Sequence, residues 1–245
     1  MRPFLLLGTR AEDDAADDEY AGFLRYAGLR ESELHRVRVE AAPLPTVDLT
    51  AYSGIILGGS PFNASDERKG EVQQRVERDL AALARRVVEA DVPFLGACYG
   101  IGLLGLAMGG TVDRRFGEAP AAVEISLTER GLADPLLAGM PDPFHAIVGH
   151  KEACAVLPPG AVLLASSAGC PTQMFRMGRH VYATQFHPEL DAESLERRLH
   201  IYAGHGYCEP EDVAPIVAQA ESVDLTHVRS LLPAFVERFG HPAPA

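Results

Sequence analysis

The stretch VPFLGACYGIGLLG, Val92–Gly105, supports two readings that lead to different proteins. Gly100-Ile-Gly102-Leu-Leu-Gly105 fits G-x-G-x-x-G, a loop whose backbone cradles a dinucleotide pyrophosphate. Cys98 stands two residues earlier, where an apolar strand, Val92–Ala97, would turn sharply into a helix, Tyr99–Met108, and expose a nucleophile. A third reading comes from the surrounding letters, since Val92 to Val112 carries no charged residue and is about as long as a membrane span. It also has small residues at helix-packing spacing, Gly96/Gly100 and Gly105/Gly109. The segment nevertheless opens with Pro93, contains six glycines and lacks flanking aromatic belts. A buried strand followed by a buried helix explains the same residues without a membrane.

Outward from this stretch, short β-like runs alternate with amphipathic ones. Pro3–Gly8 is a continuous apolar run, as expected of a strand covered on both faces. The acidic patch Glu12–Glu19 reads as a solvated helix start rather than a metal site, because acids suit a helix N-terminus. His35–Glu40 and Ser53–Gly58 read as strands, the second running into the turn Gly58-Gly59-Ser60-Pro61. Gly70–Ala90 is a helix pattern with Val72, Val76, Leu80, Leu83 and Val87 on one face. Beyond the central stretch, Ala122–Leu127, Ala146–Val148 and Val162–Ser166 look like short strands. Gln173–Met177 and His180–Phe186 flank a hairpin turn at Gly178-Arg179. Asp191–Phe239 reads as helical, with Asp191 and Thr226 as N-caps and Pro233 as a kink or start, and Gly240–Ala245 is expected to fray. The alternation predicts an α/β fold with an open, mostly parallel sheet and helices on both faces, of the flavodoxin-like kind. A small antiparallel hairpin region and a helical C-terminal extension over 191–245 would complete one domain spanning 1–245.

The bulk properties narrow the function. A chain of 245 residues, nearly half of them apolar, can bury a substantial core. Its net charge of −12 argues against nucleic acid or an anionic membrane as partner, since both need a basic face. The apolar run Phe4–Leu7 is too short for a signal peptide. Cys98, Cys154, Cys170 and Cys208 lie far apart with no C-x-x-C pair, which favours a reducing cytoplasm over a disulfide or zinc framework. His145/His150 and His200/His205 are each five apart, poor spacing for one helix face, so neither a metal nor another cofactor is expected.

The choice between cradle and elbow turns on what lies elsewhere. Glu124 is at the distance where a ribose-binding acid would stand, about twenty residues past the last glycine. Yet the fingerprint belongs on the first strand–helix unit of a dinucleotide fold, and here it follows roughly the fourth strand. With 23 glycines in the chain, one such match is weak. The elbow demands a distant histidine to deprotonate the thiol and a third group to fix that histidine's tautomer. Ala183-Thr-Gln-Phe-His187-Pro-Glu189 supplies both: His187 follows an apolar strand, and Glu189, two residues on, can point to the same side.

PFLGACYG resembles the nucleophile elbow of the class I, or triad, glutamine amidotransferases, and TQFHPEL resembles their histidine–glutamate segment. Gly58-Gly59-Ser60-Pro61 is similar to the family's glycine-rich oxyanion loop. The resemblance covers about Phe4 to Leu190 and is closest to the amidotransferase portion of GMP synthases. It implies hydrolysis of the glutamine side-chain amide by Cys98, with His187 as acid and base and Glu189 as its orienting group. Backbone N–H groups near Gly59 and of Tyr99 would stabilise the oxyanion, and the ammonia would pass to a synthase domain or subunit. Two positions depart from the pattern. The family's glutamine four residues after the nucleophile is Gly102 here, and its serine–histidine segment appears as Val148-Gly149-His150-Lys151-Glu152, so only His150 and backbone contacts such as that of Gly149 carry over. The fifty-odd residues after Glu189 leave no room for an ATP-using synthase domain, so the acceptor would be a separate partner.

Plainer readings stay open for each residue. Cys98 can be a small buried hydrophobe, His187 a strand cap, Glu189 the start of the last helix and Gly58-Gly59 only a tight turn. Lys151 and Glu152 fit solvated surface charges equally well. Three functions therefore stand: the glutaminase component of an amidotransferase, acting on L-glutamine; a hydrolase of γ-glutamyl conjugates using the same triad; and a non-catalytic or nucleotide-binding module on this fold.

Overall fold

The computed structural model describes residues 2–203 and 207–240. The apolar run at the N-terminus forms β1 (Phe4–Gly8), every residue of it buried. The acidic patch opens α1 (Asp13–Ala27), which leads to the edge strand β2 (Leu34–Arg38) and then to β3 (Gly54–Leu57). α2 (Glu71–Ala90), β4 (Phe94–Ala97) and α3 (Tyr99–Ala107) follow. Beyond them lie β5 (Thr111–Asp113), β6 (Glu118–Leu127), α4 (Glu129–Leu132), β7 (Phe144–His150) and β8 (Ala153–Val156). β9 (Val162–Ser166), β10 (Met174–Met177) and β11 (Val181–Thr184) complete the strands. The tail is α5 (Ala192–Tyr202), α6 (Val213–Glu221), α7 (Thr226–Arg229) and α8 (Leu231–Phe239).

Nine strands form one sheet in the order β2-β1-β3-β4-β11-β10-β9-β6-β7, and β5 pairs with β8 in a small second sheet. β2, β1, β3, β4 and β11 are parallel. From β11 onward the pairing is antiparallel, so the expected hairpin continues through β9 and β6 to β7. Its turn spans Gly178 to His180, with Gly178 at φ 54° and the Arg179 and His180 N–H groups donating to Asp91.

Alternation along the parallel strands feeds two cores. Leu5, Leu7, Ile55 and Leu57 face α2 through Val76, Leu80, Leu83 and Val87. Phe4, Leu6 and Ile56 face the other way, onto Phe23 of α1 and onto Leu232 and Phe235 of α8. Val72 is 47% exposed, one turn too early on α2 to reach the sheet. The tail is thus packed onto the first strand, the Phe4 and Phe235 rings lying 5.9 Å apart. Asp191 caps α5 as expected, accepting the Ser194 N–H. Thr226 is not a cap but the first residue of α7, and its own N–H is held by Asp224. Pro233 sits in the first turn of α8, where a missing N–H costs nothing. Fraying beyond Gly240, and any pairing of His200 with His205, fall outside the described residues. Among the described residues no helix is long and apolar enough to cross a membrane; the uncharged segment from Val92 is instead β4, a sharp turn and α3.

Candidate active site

The turn between β4 and α3 places Cys98 at φ 50°, ψ −90°, a conformation that side-chain-bearing residues rarely adopt. The Cys98 N–H donates to the Thr184 carbonyl at 2.7 Å, so the neighbouring strand β11 holds the strained residue in place. Glycine on either side makes the turn possible. A Cβ on Gly96 would lie 2.9 Å from the Gly100 Cα, and one on Gly100 would already touch Leu57. Gly102 and Gly105 are buried within α3, the latter against the Cys154 sulfur. Glu124 lies exposed on β6. The glycines of the apparent phosphate fingerprint are therefore packing residues of an elbow and its helix.

β11 also delivers the second group. His187 leaves the strand end with its N–H donated to the Ile147 carbonyl at 2.9 Å, and its Nδ1 lies 2.7 Å from Glu189 Oε1. The ring hydrogen-bonds the Cys98 thiol as well. With Nδ1 committed to Glu189, the sulfur faces the other nitrogen. Burial alone would favour a neutral imidazole, but the charges of Glu189 and Cys98 outweigh it and raise the His187 pKa. Burial would likewise protonate Glu189, yet His187 and Arg198 hold it well below the usual carboxylate range. Cys98, His187 and Glu189 are thus brought together in the order nucleophile, base and orienting acid.

Behind them lies a charge network absent from the sequence reading. Arg198 Nη1 sits 3.4 Å from Glu189 Oε1 and 3.2 Å from His187 Nδ1, while its Nη2 is 3.9 Å from Glu19. Arg10 Nε donates to Glu19 Oε1 at 3.0 Å. Arg10, Glu19 and Arg198 are all at most 4% exposed, so Glu19 belongs to the interior and not to a solvated helix start. The available signal was phase: Glu19 follows Ala15 and Ala16 on the buried face of α1, and Arg198 lies between Leu195 and Leu199 on that of α5.

A cavity opens beside Cys98, with Ser60, Tyr99, Gly102, Gly149, His150 and Glu152 in its wall. Gly58 and Gly59 stand one step back from it. The Gly59 N–H donates to Glu19 at 3.0 Å, and a Cβ on Gly59 would strike Arg10 at 2.7 Å and the His187 ring at 2.9 Å. Ser60 is therefore the loop residue that reaches the cavity. Gly149 makes room for Tyr207, whose hydroxyl a Cβ there would approach to 2.4 Å. Glu152 is not a surface charge: its carboxylate accepts the Ala64 and Ser65 N–H groups at 2.6 and 2.7 Å and lies across from the bare Gly102. Lys151 is exposed. His150 contacts the Glu152 carbonyl through Nδ1 and Glu118 through Nε2, at 2.9 and 2.8 Å.

Among the described residues, Glu118, His150 and Cys170 are the one grouping whose ligand atoms approach closely enough to suggest a metal. Its carboxylate is already taken by His150, Gln173 and Ser167. Burial pushes the Cys170 thiol up to about 12, and it donates to the Thr172 carbonyl. The cluster is closed by its own hydrogen bonds.

The strained cysteine, the buried histidine–glutamate pair and the glycine loop agree with comparison to known proteins. The family model for class-I glutamine amidotransferases matches residues 20–202. The chain belongs to that family. This amidotransferase is 29% identical over 181 residues to a separately encoded subunit of a glutamine-hydrolysing GMP synthase from Methanoculleus marisnigri, covering 74% of this chain and 88% of that protein. It is 30% identical over 177 residues to the GMP synthase of Streptomyces avermitilis, covering 68% of this chain but only 30% of that longer protein. A solved glutamine amidotransferase from Thermotoga maritima superposes with a TM-score of 0.78 at 20% identity, covering 98% of each chain. One from Methylobacillus flagellatus gives 0.75 at 19%, covering 100% of this chain and 98% of that one. At such identities these two speak to the fold, an α/β sheet with a helical C-terminal region.

Proposed function

We propose that this amidotransferase hydrolyses the side-chain amide of L-glutamine at Cys98, with His187 and Glu189 completing a triad, and delivers ammonia to a separate synthase subunit. The observation that carries the reading is Cys98 at its strained turn, hydrogen-bonded to a His187 that Glu189 holds at 2.7 Å. The sulfur attacks the amide carbon, and the carbonyl electron pair moves onto oxygen. The N–H groups of Ser60 and Tyr99, the latter at the start of α3 with no helical acceptor, receive that oxyanion. His187 protonates the departing ammonia, leaving a glutamyl thioester, and then activates the water that releases glutamate.

Substrate contacts follow from groups left open in the wall. Glu152 faces the cavity with only backbone donors on its carboxylate, so it receives the α-ammonium group of the substrate. Gln185 Oε1 and the Tyr99 hydroxyl are buried there without a partner and accept or donate to the bound amide and carboxylate. Gly102 supports a second reading. Without a side chain at that position the cavity also admits a γ-glutamyl conjugate, hydrolysed by the same residues. The synthase partner is supported by the relative named as a GMP synthase subunit. A cytoplasmic setting is supported by four cysteines in the free thiol state. We take 1–245 as one domain with a helical extension from 191, because the tail and β1 share a core.

Ammonia release from L-glutamine and from γ-glutamyl conjugates, measured beside Cys98→Ala, tests the proposal. Release from glutamine that vanishes in the variant is the expected result. Release confined to conjugates selects the second reading, and equal release from both proteins removes Cys98 from the mechanism.

A further inference from the structure

Gly59 is held at both ends of its backbone. Its N–H donates to Glu19 Oε1 at 3.0 Å, and its carbonyl accepts the Thr9 hydroxyl, also at 3.0 Å. Both partners are interior side chains, Thr9 wholly buried and Glu19 nearly so. Glu19 is in turn fixed by Arg10 at 3.0 Å. The carbonyl of Gly59 and the N–H of Ser60 belong to one peptide unit, planar and trans, in which the two bonds point in opposite directions. Holding the carbonyl toward Thr9 therefore sends the Ser60 N–H the other way, and Ser60 lines the cavity with Cys98 and Tyr99. Among the described residues no acceptor takes that N–H.

We propose that Thr9 is a positioning residue for oxyanion binding, acting through the Gly59–Ser60 peptide. The inference rests on the glutaminase reading above. Thr9 touches neither substrate nor nucleophile. Its hydroxyl opposes rotation of the peptide plane, and rotation would turn the Gly59 carbonyl, an acceptor, to where an oxyanion must be bound. Glu19 keeps the preceding peptide from following, so the donor is in place before substrate arrives and need not be reorganised during the reaction.

Thr9→Val keeps the shape of the side chain and removes the hydroxyl, whereas Thr9→Ser keeps the hydroxyl. Thr9→Val is expected to lower kcat on glutamine on the order of 10- to 100-fold with KM within about twofold, and Thr9→Ser to restore kcat to within about threefold. A second readout does not depend on turnover. L-glutamate γ-semialdehyde adds to Cys98: a carbon–sulfur bond forms, the aldehyde π pair moves to oxygen, and that oxygen takes up the thiol proton. Its affinity should weaken in Thr9→Val by a factor similar to the loss in kcat. Binding of L-glutamine to Cys98→Ala should be the same with and without Thr9→Val. Wild-type kcat and aldehyde affinity in Thr9→Val would overturn the proposal, as would equal losses in the Val and Ser variants. A wild type that binds the aldehyde without hydrolysing glutamine removes the glutaminase reading, and the aldehyde ratio still decides the role of Thr9. A wild type that does neither overturns both.

Discussion

At the residue scale, the pair His187–Glu189 makes stability depend on pH in a defined way. The folded pKa of His187 is raised from 6.5 to about 9, so its share is fully present below about pH 6.5 and is lost as pH rises through about 9. That of Glu189 is lowered from 4.5 to about 2, so its share is present above about pH 4.5 and lost as pH falls toward 2. The melting-temperature gap between wild type and Glu189→Gln should be widest between these limits and narrow above pH 9. A gap constant across that range would show that the pair is not charged in the fold. Arg198 lies against both members, and removing it leaves Glu19 and Glu189 short of a buried cation. Arg198→Met should cost about 3–5 kcal/mol, the usual toll of breaking a buried charge network, visible as a large drop in thermal midpoint. Cys98, His187 and Glu189 were legible because their chemistry demands residue types in a fixed chain order. Arg10, Glu19 and Arg198 were not, because a charge in an amphipathic helix is ordinarily solvated and only its phase against the apolar stripe says otherwise.

At the scale of elements, the elbow depends on backbone against backbone. A methyl group on Gly96 would meet the Gly100 Cα at 2.9 Å, and neither partner is a movable side chain. Gly96→Ala should destabilise by about 1–3 kcal/mol and reduce activity further than stability alone explains, since β4 and α3 must separate around Cys98. Gly102→Ala meets only ordinary contacts at 3.5 and 3.8 Å and sits at an ordinary helical position. It should fold and gain up to about 1 kcal/mol from helix propensity, so urea midpoints of the two variants should move in opposite directions. The parallel strands were readable as apolar runs because burial on both faces leaves no choice of residue. β5 and β8 were not, being three and four residues long and paired across some forty residues of chain. Their β-character comes from that partner and not from any local pattern. β6 was read too short for a related reason, because its first residues, Glu118 to Ala121, are polar or small and are held by β7.

At the scale of the whole molecule, the helical tail is structural. Leu231, Leu232, Phe235 and Phe239 are each at most 4% exposed. At about 1.5–3 kcal/mol per buried side chain, the four contribute roughly 6–12 kcal/mol, comparable with the entire stability of a domain. Removal of residues 226–245 should therefore give an insoluble or protease-sensitive product; a soluble truncation with the wild-type melting temperature would contradict that estimate. The helical character of the tail was legible in its sequence, but its destination was not, since amphipathicity says that a face is covered without saying by what.

The contact between Phe4 and Phe235 also has a temporal side. These rings come from opposite ends of the polypeptide, about 230 residues apart. A ribosome adding roughly 5–20 residues per second needs about 12–46 s to deliver the second after the first. Until then the strand at the middle of the parallel array waits with one side uncovered. The earliest segment to emerge is among the last to be enclosed, and during that interval the nascent chain depends on chaperones to shield it.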